Sequence, residues 1–369
     1  MAYRFFICLG LLIALFSPSV AAAYGVEDND IQMRLASPSS YAAQSLPDLI
    51  VEGTWSNSCL PSLVHSRLVD SRIDIQLRSA AAKCVDTPTP FQLKLNPARA
   101  SGQSQIALGV YEVRLFLQIG NGNTNLVAFR LLRSGADELS SRPESGFWWS
   151  VSGPDNSAAL AGNGLSIEQQ GENLAVTWLS YEAGAPVWYF GSTKMPGAIA
   201  RIELMRMIGG GEPFSGPNQT PAAEPGISLN LQFDSPSHAQ AWLVRPQSPD
   251  LRAVDVQTIS LQHLPFENGH PGSSWQGQWV LVIGDATEAR IIDLSKITTA
   301  DAESFRVSDR LGSIALQCRL DSIGKNPLPG FCSLTDGAQV IGDFDHVGLD
   351  RLSGLTAEGE RIRLVRLPK

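Results

Sequence analysis

Between residues 145 and 191 the chain reads SGFWWSVSGPDNSAALAGNGLSIEQQGENLAVTWLSYEAGAPVWYFG, and through its short apolar runs hydropathy flips from one residue to the next. A period of two belongs to a half-buried strand; a helix would repeat its apolar face every 3.6 residues. The alternating runs fall at 147–151, 164–170, 174–181 and 187–191, and Gly, Asn or Pro stands in each gap, at 153–162, 171–173 and 182–186. That is the pattern of an antiparallel meander. It also holds four of the chain's eight tryptophans, Trp148, Trp149, Trp178 and Trp188.

The same pattern continues at 198–207, 227–234, 238–245 and 254–264, which brings the meander to eight strands. A ribbon of that length escapes exposed edges by closing into an up-and-down barrel or by curling strongly. The Gly- and Pro-rich connection 208–226 reads as a surface excursion. Upstream, runs at 49–51, 72–77, 91–95, 109–118 and 126–132 have the length and spacing of a small Ig-like β-sandwich. Downstream, runs at 278–283, 289–294, 313–320 and 361–367 indicate a smaller C-terminal β unit, with a helical turn expected at 301–305. The expected fold class is therefore all-β. Its divisions are a flexible lead at 24–46, a sandwich at 47–134, a linker at 135–144, the aromatic meander or barrel at 145–267, and a unit at 274–369 that either stands alone or packs as part of its neighbour.

Composition sets the compartment and removes some partners. Arg4 precedes an apolar run at 5–16, which Ser17-Pro18-Ser19 breaks before the small residues Val20-Ala21-Ala22-Ala23. This is the arrangement of a secretory signal over residues 1–23, too short for a membrane span. A net charge of −8 provides no basic field for nucleic acid or anionic membrane. Beyond Cys8 in the signal, four cysteines remain, Cys59, Cys84, Cys318 and Cys332. Four cysteines allow three pairings. Proximity along the chain favours Cys59–Cys84 and Cys318–Cys332, each stabilising by roughly 3–3.5 kcal/mol on the chain-entropy account. Disulfides suit an extracytoplasmic address, secreted or periplasmic.

The familiar catalytic arrangements do not occur: no G-x-S-x-G elbow, H-E-x-x-H pair, phosphate loop or dinucleotide fingerprint. The five histidines are scattered, and Gly209-Gly210-Gly211 lies in a Pro-rich loop. Asp343 and Asp345, with His346 beside them, are weak candidates for a metal, because their spacing matches no calcium loop. Neither a metal nor another cofactor is implied. The aromatic residues carry the functional expectation: Trp148, Tyr181 and Tyr189, with Glu168 near them, are the candidate ligand-binding set. Exposed rings beside polar groups suit a sugar or a partner protein.

The series S-G-F-W-W at 145–149, G-N-G at 162–164, Q-G at 170–171, T-W-L-S-Y at 177–181 and G-A-P-V-W-Y at 184–189 resembles a module of secreted bacterial proteins of unknown function. The likeness covers residues 145–266 and implies a β-rich secreted module without implying an activity. The expected function is that of a non-enzymatic binding protein for a glycan or a protein. The alternatives are a hydrolase of envelope or extracellular polysaccharide, whose carboxylates the sequence does not locate (Glu168 and Glu182 flank the meander, but nothing sets them apart from the other acids), and a structural module of a cell-surface assembly.

Overall fold

A computed structural model describes residues 31–36, 44–80, 82–135, 142–151, 162–195, 197–211, 214, 220, 222–248, 253–266, 272–285, 289–300, 303–320 and 328–368. The expected signal at 1–23, most of the lead and the middle of the linker lie outside these. The chain is nearly all β.

The N-terminal unit comprises β1 (Gln32–Leu35), β2 (Leu49–Trp55), β3 (Ser62–Val69), β4 (Arg72–Ser79), β5 (Thr89–Leu95), the single-turn helix α1 (Pro97–Ala100), β6 (Gly109–Ile119) and β7 (Thr124–Ser134). Strands β1-β2-β5 form one sheet and β3-β4-β6-β7 another. Val51, Trp55 and Phe91 of the first share a core with Ile75, Val113 and Leu115 of the second. Two sheets over one core match the expectation in outline. The Ig-like detail is corrected, because β4 and β6 run parallel whereas immunoglobulin sheets are antiparallel. The chain leaves the second sheet after β4, adds β5 to the first, and returns as β6, a crossover that permits a parallel pair. Part of the expected lead is also ordered: β1 pairs with β2 and buries Met33.

The aromatic meander follows as β8 (Gly146–Val151), β9 (Gly164–Gln170), β10 (Asn173–Glu182), β11 (Ala185–Lys194), β12 (Ile199–Ile208), β13 (Ala222–Phe233), β14 (His238–Ser248) and β15 (Ala253–His263). It closes into a barrel, with β15 paired to β8 from Ser260↔Val151 to His263↔Trp148. The turns are tighter than the sequence suggested. Ala183 and Gly184, with φ of +48° and +82°, make the whole β10–β11 connection, and positive φ at both central residues matches the right-handed twist of a hairpin. Trp148, Ile167, Val176, Trp178, Leu204, Leu231 and Phe233 fill the interior. An apolar interior is the reverse of a membrane barrel, whose apolar band faces outward around a polar lumen.

The C-terminal unit begins with a 3₁₀ turn at Ser273–Trp275 and continues as β16 (Gly277–Ile283), β17 (Arg290–Leu294), β18 (Lys296–Ala300), β19 (Ser304–Ser308), β20 (Ile314–Leu320), β21 (Pro329–Asp336), β22 (Gln339–Val347), β23 (Arg351–Leu355) and β24 (Arg361–Arg366). These form one sheet in the order β17-β16-β24-β23-β22-β21-β20-β19-β18. Its edge strands, β17 and β18, are joined by Ser295 alone, so the sheet curls until its ends approach. Trp279, Leu316 and Phe344 pack inside the curl. Of the helical turn expected at 301–305, residues 301 and 302 lie outside the described residues, and the rest is corrected: Ser304 and Phe305 open β19, and the Phe305 ring stacks on Trp275 at 4.9 Å. Both expected disulfides are present, Cys59–Cys84 and the cross-strand pair Cys318–Cys332.

Two junctions hold these units together. On the outside of the barrel, Trp242 of β14 stacks on Phe129 of β7 at 6.2 Å and donates its indole N–H to Glu112 Oε1 at 3.0 Å. At the end of the expected linker, the buried Glu144 carboxylate accepts the backbone N–H groups of Leu349 and Asp350, each at 2.8 Å.

Candidate functional site

The outer wall of β8–β11 carries the candidate site, and strand register builds it. Trp149 lies opposite Gly164, Gly164 opposite Leu179, and Leu179 opposite Trp188, so one row crosses four strands. With strands about 4.8 Å apart the row spans roughly 14 Å. The next row on the same face is Phe147, Ser166, Thr177 and Phe190. On the other side of the first row Tyr181 faces Pro186.

Glycine makes the surface flat. A Cβ on Gly164 would sit 2.7 Å from Phe147 Cζ and 3.1 Å from Trp149 Cε3, so both rings lie across this residue. A Cβ on Gly162 would meet Tyr181 Cε2 at 2.8 Å. The G-N-G motif therefore puts two bare stretches of backbone beneath aromatic rings. Trp149, Leu179, Trp188 and Phe190 remain 37 to 45% exposed and Tyr181 56%. These five large side chains cluster on one wall rather than being scattered singly.

The structure divides the residues nominated from sequence. Tyr181 and Glu168 lie on this outer wall, with Glu168 exposed opposite Ala175. Trp148 and Tyr189 do not. Trp148 is 0% exposed inside the barrel, and its indole N–H donates to the Glu144 carbonyl at 3.1 Å. Tyr189, 5% exposed, stacks on Trp178 at 5.4 Å and donates its hydroxyl to the Glu182 carboxylate, which also pairs with Arg206 at 3.2 Å. Burial, and secondarily the bond to Glu182, pushes the Tyr189 phenol up to about 12.

The physical reason for both corrections is the same. Trp148-Trp149 and Trp188-Tyr189 are consecutive aromatic pairs, and in a strand neighbours point to opposite faces. Closure directs the face of Leu174, Val176 and Trp178 inward, and pairing then carries Trp148 and Tyr189 with it. Trp149 and Trp188, with Phe147, Leu179 and Phe190, are the residues the sequence reading missed. The signal that identifies them is their opposite phase to the inward set.

The other nominated groups are not assembled into a centre. Glu168 projects outward and Glu182 lies on the inward phase of β10, so they do not flank one cleft. Asp343 accepts the Ser333 hydroxyl at 2.6 Å, and Asp345 contacts His346 Nδ1 at 2.8 Å. Among the described residues no three His, Cys, Asp or Glu side chains converge to hold a metal. No protein-family model matches the chain, and no curated protein matches it.

Proposed function

We propose that this is a non-catalytic, extracytoplasmic recognition protein that docks a partner protein on the outer wall of β8–β11. One observation carries the reading: the barrel has outward tryptophans on two walls, and among the described residues only one wall is covered. Trp242 is buried beneath the N-terminal unit by stacking on Phe129. Trp149 and Trp188 carry comparable rings into solvent. Leu179 at the centre of the row favours a protein, since interface cores are rich in aromatic and aliphatic anchors ringed by polar groups. The hydroxyls of Ser166 and Thr177, with the Glu168 carboxylate, supply that polar surround and favour a glycan as the second reading.

The test compares the wild-type chain with Trp188→Ala and Leu179→Asp in affinity capture from the native envelope fraction, with a polysaccharide pull-down in parallel. Proteins held by wild type and lost from both variants support the reading. Retention by the variants overturns it, and sugar released from polysaccharide replaces it with the hydrolase. The address rests on residues 1–23 together with the two disulfides. Deleting residues 2–23 is expected to leave the chain in the cytoplasm with its cysteines reduced, as cell fractionation and thiol labelling will show.

A further inference from the structure

The outer wall of the C-terminal unit carries a surface of different chemistry. Strands β19, β20 and β21 set six residues on it in two rows: Ser304, Arg319 and Phe331 in one, Arg306, Gln317 and Ser333 in the other. Within a row each residue faces its neighbour across a strand pair, and the rows are two residues apart on every strand, so all six share one face. A groove of about 340 Å³ lies along this face, and its lining includes Ser304, Gln317, Arg319, Phe331 and Ser333. Between the rows, Cys318 and Cys332 point the other way, 1% and 0% exposed, and their disulfide ties β20 to β21 beneath the groove. A floor held in this way loses little freedom when a ligand settles on it.

A bulge stands beside the ring. Arg319 pairs with Phe331 and Leu320 with Pro329, so Gly330 is an extra residue in β21. Such a residue bends its strand and re-aims the next side chain, and Phe331 is left 38% exposed. The groups around it are polar. Arg319 and Gln317 are exposed, and their side chains make no ion pair or hydrogen bond among the described residues. Ser333 donates its hydroxyl to Asp343 at 2.6 Å, which leaves the Ser333 oxygen as an acceptor. Among the described residues no Asp or Glu lines the groove.

We infer that this groove binds a sugar ring bearing an anionic group, a carboxylate or a sulfate ester, as acidic polysaccharides do. The apolar face of the sugar lies on the Phe331 ring. The Arg319 guanidinium takes two oxygens of the anionic group as a fork. The Gln317 amide and the Ser333 oxygen bond ring hydroxyls, which both donate and accept. The six positions cover about 10 Å by 7 Å at ordinary strand spacing and rise, far below the roughly 800 Å² that a protein partner covers, and they hold one aromatic anchor rather than a cluster. The groove's volume sits at the lower end of the about 300–1,000 Å³ usual for small-ligand sites. It lies on a different unit from the β8–β11 wall, so its occupancy neither requires nor excludes a protein docked there.

Calorimetric titration of the purified chain with trigalacturonate, galactotriose sulfate and neutral galactotriose, all at one ionic strength, tests the site, with triglutamate as the acidic peptide. At least one acidic sugar is expected to bind about tenfold or more tightly than the neutral one, and the tighter of the two identifies the anionic group. Arg319→Gln is expected to lose about tenfold in affinity for that sugar, as removal of a charged hydrogen bond does, and little for the neutral one. Phe331→Ala is expected to weaken both. Both side chains are exposed, so both variants are expected to keep the wild-type denaturation midpoint. No binding of either acidic sugar, equal binding of the neutral one, triglutamate bound as tightly as the acidic sugars, or unchanged affinity in Arg319→Gln overturns the inference.

Discussion

At the scale of single residues, the two members of an aromatic pair have opposite jobs. Trp148 fills the barrel interior with its N–H satisfied, so Trp148→Ala is expected to cost about 3–5 kcal/mol of unfolding free energy, measured by urea denaturation. Trp188, 45% exposed, is expected to cost less than about 1 kcal/mol as alanine, as surface substitutions usually do, while abolishing partner capture. The reverse ranking would place the wrong ring inside. Tyr189 adds a pH signature. Its folded phenol is raised above 10 to about 12, so the neutral form is the one the fold favours. The stability it contributes is full below pH 10 and is lost as pH rises toward 12. Tyr189→Phe is expected to flatten this alkaline limb in denaturation measured between pH 9 and 12; an unaltered limb would show that the phenol titrates elsewhere. Which of two adjacent rings faces inward was not legible from residues 148–149 or 188–189 alone. Alternation establishes that two faces exist, and only closure of the sheet decides which one is the core.

Elements were legible where turns are marked and faces differ. The barrel strands stand out because Gly171 and Ala183-Gly184 punctuate apolar alternation. β3 was missed because it is mostly exposed along its length and so lacks a core face to read, and β1 because its single buried Met33 sits in a polar surround. In the C-terminal unit the strands came through only in part: β18, β19 and β23 are five residues each, and the longer β21 and β22 carry register shifts at Leu334/Thr335 and Phe344/His346 that interrupt the alternation. One glycine there shows how strictly β22 and β23 are pressed together. A Cβ on Gly354 would lie 1.9 Å from the Asp343 carbonyl oxygen, a backbone atom that cannot swing aside. Gly354→Ala is therefore expected to destabilise by about 1–3 kcal/mol as overpacking, with the loss appearing in hydrogen exchange of β22 and β23. Wild-type protection in those strands would contradict so close an approach. The Cys59–Cys84 bridge acts on a different region: it closes 25 residues in the N-terminal unit, and its double serine variant is expected to lose about 2–5 kcal/mol of that unit's stability in a denaturant titration.

On the scale of the whole molecule, the question is whether three cores behave as one body, and Glu144 is where the barrel and the C-terminal unit are tied. Its carboxylate, 8% exposed, accepts Leu349 N–H and Asp350 N–H. Around it Trp275 donates its indole N–H to the Gly348 carbonyl at 3.1 Å, the Ser237 hydroxyl bonds the Val347 carbonyl, and Arg351 Nη2 donates to the Arg142 carbonyl at 2.6 Å. Sequence reading placed Glu144 at the end of a polar linker, because a buried carboxylate whose partners lie two hundred residues away leaves no local trace. Removing it strands two backbone donors in a closed junction, and each unsatisfied group costs about 1–3 kcal/mol. A loss of that size at a junction falls on the coupling between units rather than on either core. Glu144→Ala is thus expected to split one calorimetric transition into two, with the C-terminal unit and the barrel melting separately while both keep their internal hydrogen-exchange protection. Glu144→Gln, which retains one carbonyl acceptor, is expected to fall between. A single transition at the wild-type temperature in Glu144→Ala would mean that the packing of Trp275 and the surrounding carbonyl bonds already couples the two units, and that the carboxylate is dispensable to their union.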